Sequence, residues 1–250
     1  MIDNSKAYKK LKKQSQESMD FIILCCHAVP SLKGYIKAVE NNAAPKLPDP
    51  DIFVSPTSIE RLKEISPKYR KTLGKLLILN SFSYFEAYVI DLLKEIFEFH
   101  GGDEKFLQAA IQKRNVIFDG KFDPVVRKLR EPAKKGKEAK YRKLRAELIN
   151  GEYRFPTDIF SVYGIMRMQE RLKELKASQI PDLLKDALGL SLSESDLERF
   201  SNMRELRNDI AHGKVSEVDL KKAIDDNDFL RTLAVKIDSH VINYFFVIDE

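Results

Sequence analysis

The chain has 250 residues, 43% of them hydrophobic and 32% charged, with no tryptophan, ten glycines and ten prolines. That length buries a full core, as one large domain or one domain with an insertion, and the abundance of Leu, Lys, Glu and Ala favours helix. The formal net charge of +5 is modest, and two adjacent cysteines exclude a disulfide framework. From about Asn4 to Val29 apolar residues recur at helical spacing, at Leu11, Phe21, Ile22, Leu24, Cys25 and Ala28, and Pro30 limits this helix. The run FIILCCHAV is too short to span a bilayer, and no small-residue cleavage site follows it, so a cytoplasmic chain without membrane association is expected. Cys25 and Cys26 point to a reduced compartment. With His27 they form three contiguous residues that converge poorly on one ion, and no metal site is read there.

A short helix is expected from Ser31 to Glu40. Asn41 to Pro56, with four prolines, reads as a long loop. Ser66-Pro67 is a helix entry, and no proline follows until after the Gly101-Gly102 stop. A helix of about thirty residues would be about 45 Å long. Its apolar positions, Leu76, Leu77, Phe82, Phe85, Tyr88, Leu92 and Ile96 among them, are too many for one stripe and predict a central helix. Glu86 and Asp91 interrupt them. Glu86 has two readings: it faces solvent or ties helices together, or it faces a site built further along the chain. Asp103 to Arg114 is another short helix.

Lys121 to Arg145 holds eleven basic residues and three acids, a net +8 that leaves −3 for the rest of the chain. This is an electrostatic footprint for a polyanion, with Lys134, Lys135, Lys137, Arg142 and Lys143 as candidate RNA contacts, or else a solvated face. A helix from Glu138 to Leu148, a turn at Asn150-Gly151, a helix capped at Thr157-Asp158 and running to Ala177, and a helix from Pro181 to Gly189 follow. Residues 109–179 read as an insertion into a smaller bundle. Ser193-Glu194-Ser195-Asp196 has the form of a capping box before a helix whose inward face is Leu197, Phe200, Met203, Leu206 and Ile210. Gly213 ends that helix, and Leu220 to Ile248 supplies the last long apolar one.

The most specific stretch is MRELRNDIAHG, Met203 to Gly213. Arg207 offers a charged planar fork for phosphate. His212, with a reference pKa of about 6.5, can take and give a proton near neutrality. Asn208 can fix the imidazole or a phosphate oxygen. Arg204 and Lys214 flank them as further phosphate contacts. The alternative is a capped helix end, with His⁺ favoured by the helix dipole and glycine supplying the left-handed residue. Positions five apart on a helix differ by about 140° and 7.5 Å. Convergence of Arg207 and His212 therefore needs freedom at Gly213 or a second copy across a two-fold axis.

The string Arg207, Asn208-Asp209-Ile210-Ala211, His212 resembles the R-x-x-x-x-H signature of the HEPN superfamily, and Gly213 fits its frequent R-N-x-x-x-H-G form. LLILNSFSYFEAYVIDLLKEI, Leu76 to Ile96, with its Phe85-Glu86 step, resembles the long early helix of HEPN nucleases of the RiboL-PSP and MAE types. The resemblance implies an all-α, HEPN-like bundle over residues 1–250. It implies a homodimer with two motifs facing each other in a composite cleft. It implies an endoribonuclease that needs no metal or cofactor, in which the ribose 2′-hydroxyl attacks the adjacent phosphorus. His212 would act as general base or acid, Arg207 would stabilise phosphoryl charge, Asn208 would hold His212 or the phosphate, and Glu86 would orient the Arg or His. The cellular role implied is a toxin or antiviral-defence effector with an antitoxin or defence-system partner. A non-catalytic module binding RNA or protein, or a domain binding a mononucleotide, stands beside this reading. Lys214 departs from the Tyr that toxins paired with nucleotidyltransferase antitoxins often carry two residues after the His, which speaks against control by nucleotidylation there.

Overall fold

A computed structural model describes residues 4–52, 57–117, 137, 139–140, 142–144 and 162–246, and among them all regular structure is helical. The helices are α1 (Lys6–Glu40), α2 (Ile59–Ile65), α3 (Tyr69–Phe99), α4 (Asp103–Ile117), α5 (Val162–Lys173), α6 (Ile180–Asp186), α7 (Glu194–Ala211) and α8 (Leu220–Tyr244). Short 3₁₀ turns at Ser66–Lys68 and Ala177–Gln179 lead into α3 and α6. The chain is all-α, as its composition and periodicity suggested. Thr157-Asp158, Lys134, Lys135 and most of the 109–179 segment lie outside the described residues.

α3 is the spine. Leu77, Ile78, Phe82, Phe85, Tyr88, Val89, Leu92, Leu93 and Ile96 are all buried, on more than one side of the helix. α1 lies antiparallel to it. The Lys6 and Ala7 N–H groups both donate to Glu95 at 2.9 Å, and Lys10 pairs with Asp91 at 2.7 Å. α8 lies parallel to it. Ser81 meets Asn227 at 2.8 Å, the Tyr88 hydroxyl donates to the Ala234 carbonyl at 3.2 Å, and His100 Nε2 lies 2.7 Å from the Phe245 carbonyl oxygen. These partners are 146, 146 and 145 residues apart, so the two helices keep one register along their length. Parallel neighbours cannot be joined by a short turn. The intervening chain, which includes α4 to α7, makes the return.

Polar ties inside the bundle set this register. Ser5 caps α1 by accepting from the Tyr8 N–H at 3.0 Å, and its hydroxyl donates to Asp238 of α8. Burial raises the Asp238 carboxyl above its usual range, while the Ser5 bonds oppose the rise. Ser15 and Ser81 both reach Asn227 Oδ1.

The structure corrects the expectation of two helices on either side of Pro30. α1 is one helix of 35 residues with Pro30 inside it. A proline interrupts the backbone ladder and costs about 3 kcal/mol in a helix interior. Here Ile22 before it and Ile36 after it are both buried and hold the helix to the body. The Ser31 hydroxyl also donates to the His27 carbonyl at 2.9 Å. In consequence α1, like the α2–α3 stretch, is long and apolar enough by length and composition to cross a membrane, which corrects the reading of a run too short to span. Half of the apolar 18-residue stretch is buried inside the protein for Ile59–Phe99, against 11% for α1.

Gly74 is where the chain after α7 touches α3. A Cβ built there would stand 2.4 Å from the Val218 carbonyl oxygen. Gly74→Ala should therefore lower stability by about 1–3 kcal/mol through overpacking, outweighing about 1 kcal/mol of gained helix propensity. Urea unfolding of the two proteins measures it, and an unchanged midpoint would contradict the close approach.

The buried His100 and His240 give a second expectation. Burial lowers both imidazole pKa values, while hydrogen bonds to the Phe245 and Leu188 carbonyls oppose the shift. As pH falls below about 6.5 the unfolded imidazoles bind protons first, so stability is lost. Glu86 and Asp238, raised by burial, act with the opposite sign at lower pH. The melting temperature should fall between pH 7.5 and 5.5, and the slope should be shallower in His240→Gln.

Candidate active site

α7 begins at Ser193, whose hydroxyl oxygen accepts from the Asp196 N–H at 3.1 Å. Its inward face seats on α3: the Phe200 ring lies 5.4 Å from that of Phe82 and 6.0 Å from that of Phe85, centroid to centroid. Phe200, Met203 and Ile210 are buried, with Leu197 and Leu206 packed against the same core. Anchoring Phe200 and Met203 sets the rotation of the helix, and two turns beyond Phe200 that rotation brings Arg207 against Glu86.

Arg207 is half-buried and held on three sides. Its Nη2 donates to Glu86 Oε2 at 3.0 Å, and its Nη1 donates to Asn208 Oδ1 at 3.0 Å. Its guanidinium carbon stands 5.9 Å from the centroid of the Phe82 ring, within cation–π range. Burial raises the Glu86 carboxyl above its usual range, and the Arg207 charge works against that rise.

α7 closes in a Schellman turn. The Gly213 N–H donates to the Ile210 carbonyl at 3.1 Å and the Lys214 N–H to the Asp209 carbonyl at 2.8 Å, with Gly213 at φ 72°. His212 is the C-cap. Its N–H donates to the Asn208 carbonyl at 2.9 Å, and its side chain is exposed. Among the described residues the imidazole makes no hydrogen bond or ion pair. The chain beyond it is pinned to α3 by the Gly74–Val218 contact and by Lys71 paired with Glu217.

The structure thus brings Arg207, Asn208 and Glu86 into direct contact and sets His212 one turn on, facing solvent. The flanking cations are partly engaged. Lys214 pairs with Asp209 at 3.4 Å, and Arg204 reaches Ser201 and Glu205 at 3.5 Å each. Lys137 and Lys143 are exposed. Arg142 is committed elsewhere: it is bound to Asp186 and lies 3.3 Å from Asp182, which ties its segment to α6. Among the described residues no group of three or more His, Cys, Asp or Glu side chains could hold a metal ion. Two contributors escape a reading of the motif alone. Phe82, one turn before Glu86, underlies Arg207, and Gly74 fixes the chain that follows His212. An isolated glycine inside a long helix is the sequence signal for such a close approach.

The RiboL-PSP-HEPN family model matches residues 56–243, from just before α2 almost to the end of α8, and leaves α1 outside. No curated protein and no solved structure matches the chain.

The Arg207–Glu86 contact is half-buried, so solvent screening holds it to about 1 kcal/mol. A double-mutant cycle with Glu86→Ala and Arg207→Ala, followed by urea unfolding, should return a favourable coupling of that size. Strict additivity of the two losses would mean that the pair does not form in solution.

Proposed function

Because the chain belongs to the RiboL-PSP-HEPN family, we propose that it is a metal-independent endoribonuclease with Arg207, Asn208 and His212 as its catalytic set. The observation that carries this is an exposed imidazole at a helix end beside an arginine already oriented by Glu86, Asn208 and Phe82. A guanidinium has five N–H donors. Glu86 and Asn208 take two, which leaves donors for a phosphate without moving the side chain. Asn208 gives its oxygen to Arg207, so its NH₂ group is the part that can meet a phosphate oxygen.

In the proposed reaction the 2′-oxygen of a ribose forms a bond to the adjacent phosphorus as the bond from phosphorus to the 5′-oxygen breaks. His212 takes the 2′-hydroxyl proton or delivers one to the leaving 5′-oxygen, an acid–base contribution of typically 10²–10⁴. Arg207 stabilises the charge that grows on the phosphoryl oxygens. The products are a 2′,3′-cyclic phosphate and a 5′-hydroxyl. DNA, lacking the 2′-hydroxyl, is not a substrate. Arg204, Lys214, Lys137 and Lys143 add positive charge for an RNA backbone. A second copy facing this solvent-open motif would supply another Arg207 and His212. The cellular role that fits is a toxin or antiviral-defence effector restrained by a partner protein. A module that binds RNA or protein without cutting is the second reading, because the Glu86 tie also suits Arg207 as a helix-to-helix clamp.

The test is incubation of the purified protein with structured RNA in EDTA. The wild type should cleave and leave cyclic phosphate ends, and His212→Ala should lose at least a hundredfold in rate with its helicity intact. Intact RNA at every wild-type concentration, or a His212→Ala protein that cuts equally well, would sink the nuclease reading.

A further inference from the structure

A second cluster of charge, built from none of the motif's residues, lies where α5 packs on α6. Arg167 and Arg171 stand one turn apart on α5, and Asp182 and Asp186 one turn apart on α6. With Arg142 and Leu183 they line an open cavity of about 90 Å³. Most of these charges are spent on one another. Arg142 is bound to Asp186 and reaches Asp182 at 3.3 Å. Arg167 donates from Nε to the Tyr163 hydroxyl at 3.1 Å and from Nη1 to Glu170 at 2.8 Å. Its Nη2 makes no hydrogen bond among the described residues. Arg171 is the exception. It is partly buried, it lines the cavity, and among the described residues it makes no hydrogen bond or ion pair. A clamp between helices accounts for Arg142 and Arg167. It does not account for Arg171, because a guanidinium is rarely drawn out of water without a partner.

We propose that this cavity binds one phosphodiester of a nucleic-acid strand, with Arg171 and the Nη2 edge of Arg167 as its donors. Charge selects the ligand. The three arginines and two aspartates that line the cavity leave it a net charge of +1. Glu170 does not line it, and its side chain is 56% exposed, so water screens its charge. A phosphodiester brings one negative charge. A phosphate monoester, at about −1.5 to −2 near neutral pH, overshoots. Size selects as well. The cavity is far below the about 300–1,000 Å³ of pockets that enclose a small molecule. It admits a phosphate group and leaves sugar and base outside. There Lys137, Lys140 and Lys143, exposed on the segment that Arg142 ties to α6, extend the positive charge beyond the cavity, as a strand requires. The contacts are to phosphate, so RNA and DNA strands bind alike. Nothing in this site depends on the nuclease reading.

Fluorescence anisotropy of the full-length chain with a short labelled deoxythymidine strand tests it, from about 50 to about 200 mM salt. That strand lacks the 2′-hydroxyl, so binding is read without cleavage. The wild type should bind, more weakly as salt rises. Arg171→Ala should weaken binding about threefold to tenfold and flatten the salt slope by about 0.7. Its urea midpoint should not move, because Arg171 holds no other residue. Asp182→Asn, where the side chain is 62% exposed, should tighten binding, since it raises the charge of the cavity. A wild type that does not bind, an Arg171→Ala protein with unchanged affinity and slope, or an Asp182→Asn protein that binds no tighter overturns the proposal. Sulfate that raises the melting temperature of the wild type but not of Arg171→Ala, while both bind the strand equally, also overturns it and assigns the cavity to a free anion. A protein that binds the strand in this way and cuts no RNA would sink the nuclease reading and leave this one standing.

Discussion

The structure depends on enclosing α3. A helix with large apolar side chains on more than one side cannot present them to water, because each fully buried Leu, Ile or Phe is worth about 1.5–3 kcal/mol over its exposed state. It needs neighbours on several sides, and α1, α7 and α8 are those neighbours. Apolar burial alone would let them slide, since it has no direction. The register comes from the few polar groups inside: Asn227 between Ser15 and Ser81, Tyr88 on the Ala234 carbonyl, and Ser5 with Asp238 at the head of α1. A slip of one residue would leave these buried groups without partners, at about 1–3 kcal/mol each.

The candidate site inherits its geometry from this packing. Phe200 seats α7 on Phe82 and Phe85, and the same rotation that buries Phe200 turns Arg207 toward Glu86. Phe82 serves both ends of the arrangement, packing against Phe200 and lying under the guanidinium. The helix then stops at a left-handed glycine that leaves His212 outside. Arginine and histidine are thus prepared by different means. Arg207 is fixed by tertiary contacts before any ligand arrives, and His212 is held by its backbone alone, with the imidazole free to turn.

Charge is arranged on two scales. The run from Lys121 to Arg145 concentrates positive charge in sequence, but Arg142 is drawn onto Asp186 and Asp182 of α6 and anchors rather than attracts. Near the motif, Lys214 and Arg204 each lie within reach of an acid, Asp209 and Glu205. These two cations each have an acid beside them, and Arg207 itself carries a carboxylate partner that keeps its half-buried charge from standing alone.

Much of the fold was legible in the residues. The apolar spacing of α3 and α7, the Ser193 cap, the Gly101-Gly102 stop and the Gly213 end are local signals, each complete within a few residues, and backbone hydrogen bonding over one or two turns is enough to realise them. The helix end that carries Arg207 to His212 was legible for the same reason. Glu86 was left between two roles, because only packing brings it to a residue 121 positions away. Pro30 misled: the local rule ends a helix there, but Ile22 and Ile36 bury against the body on either side and carry α1 through. The commitment of Arg142 to α6 and the closeness of Gly74 to Val218 were decided in tertiary structure too. Sequence periodicity states which side of a helix is apolar; which partner covers that side, and where along its length the covering stops, is set by how whole helices fit together.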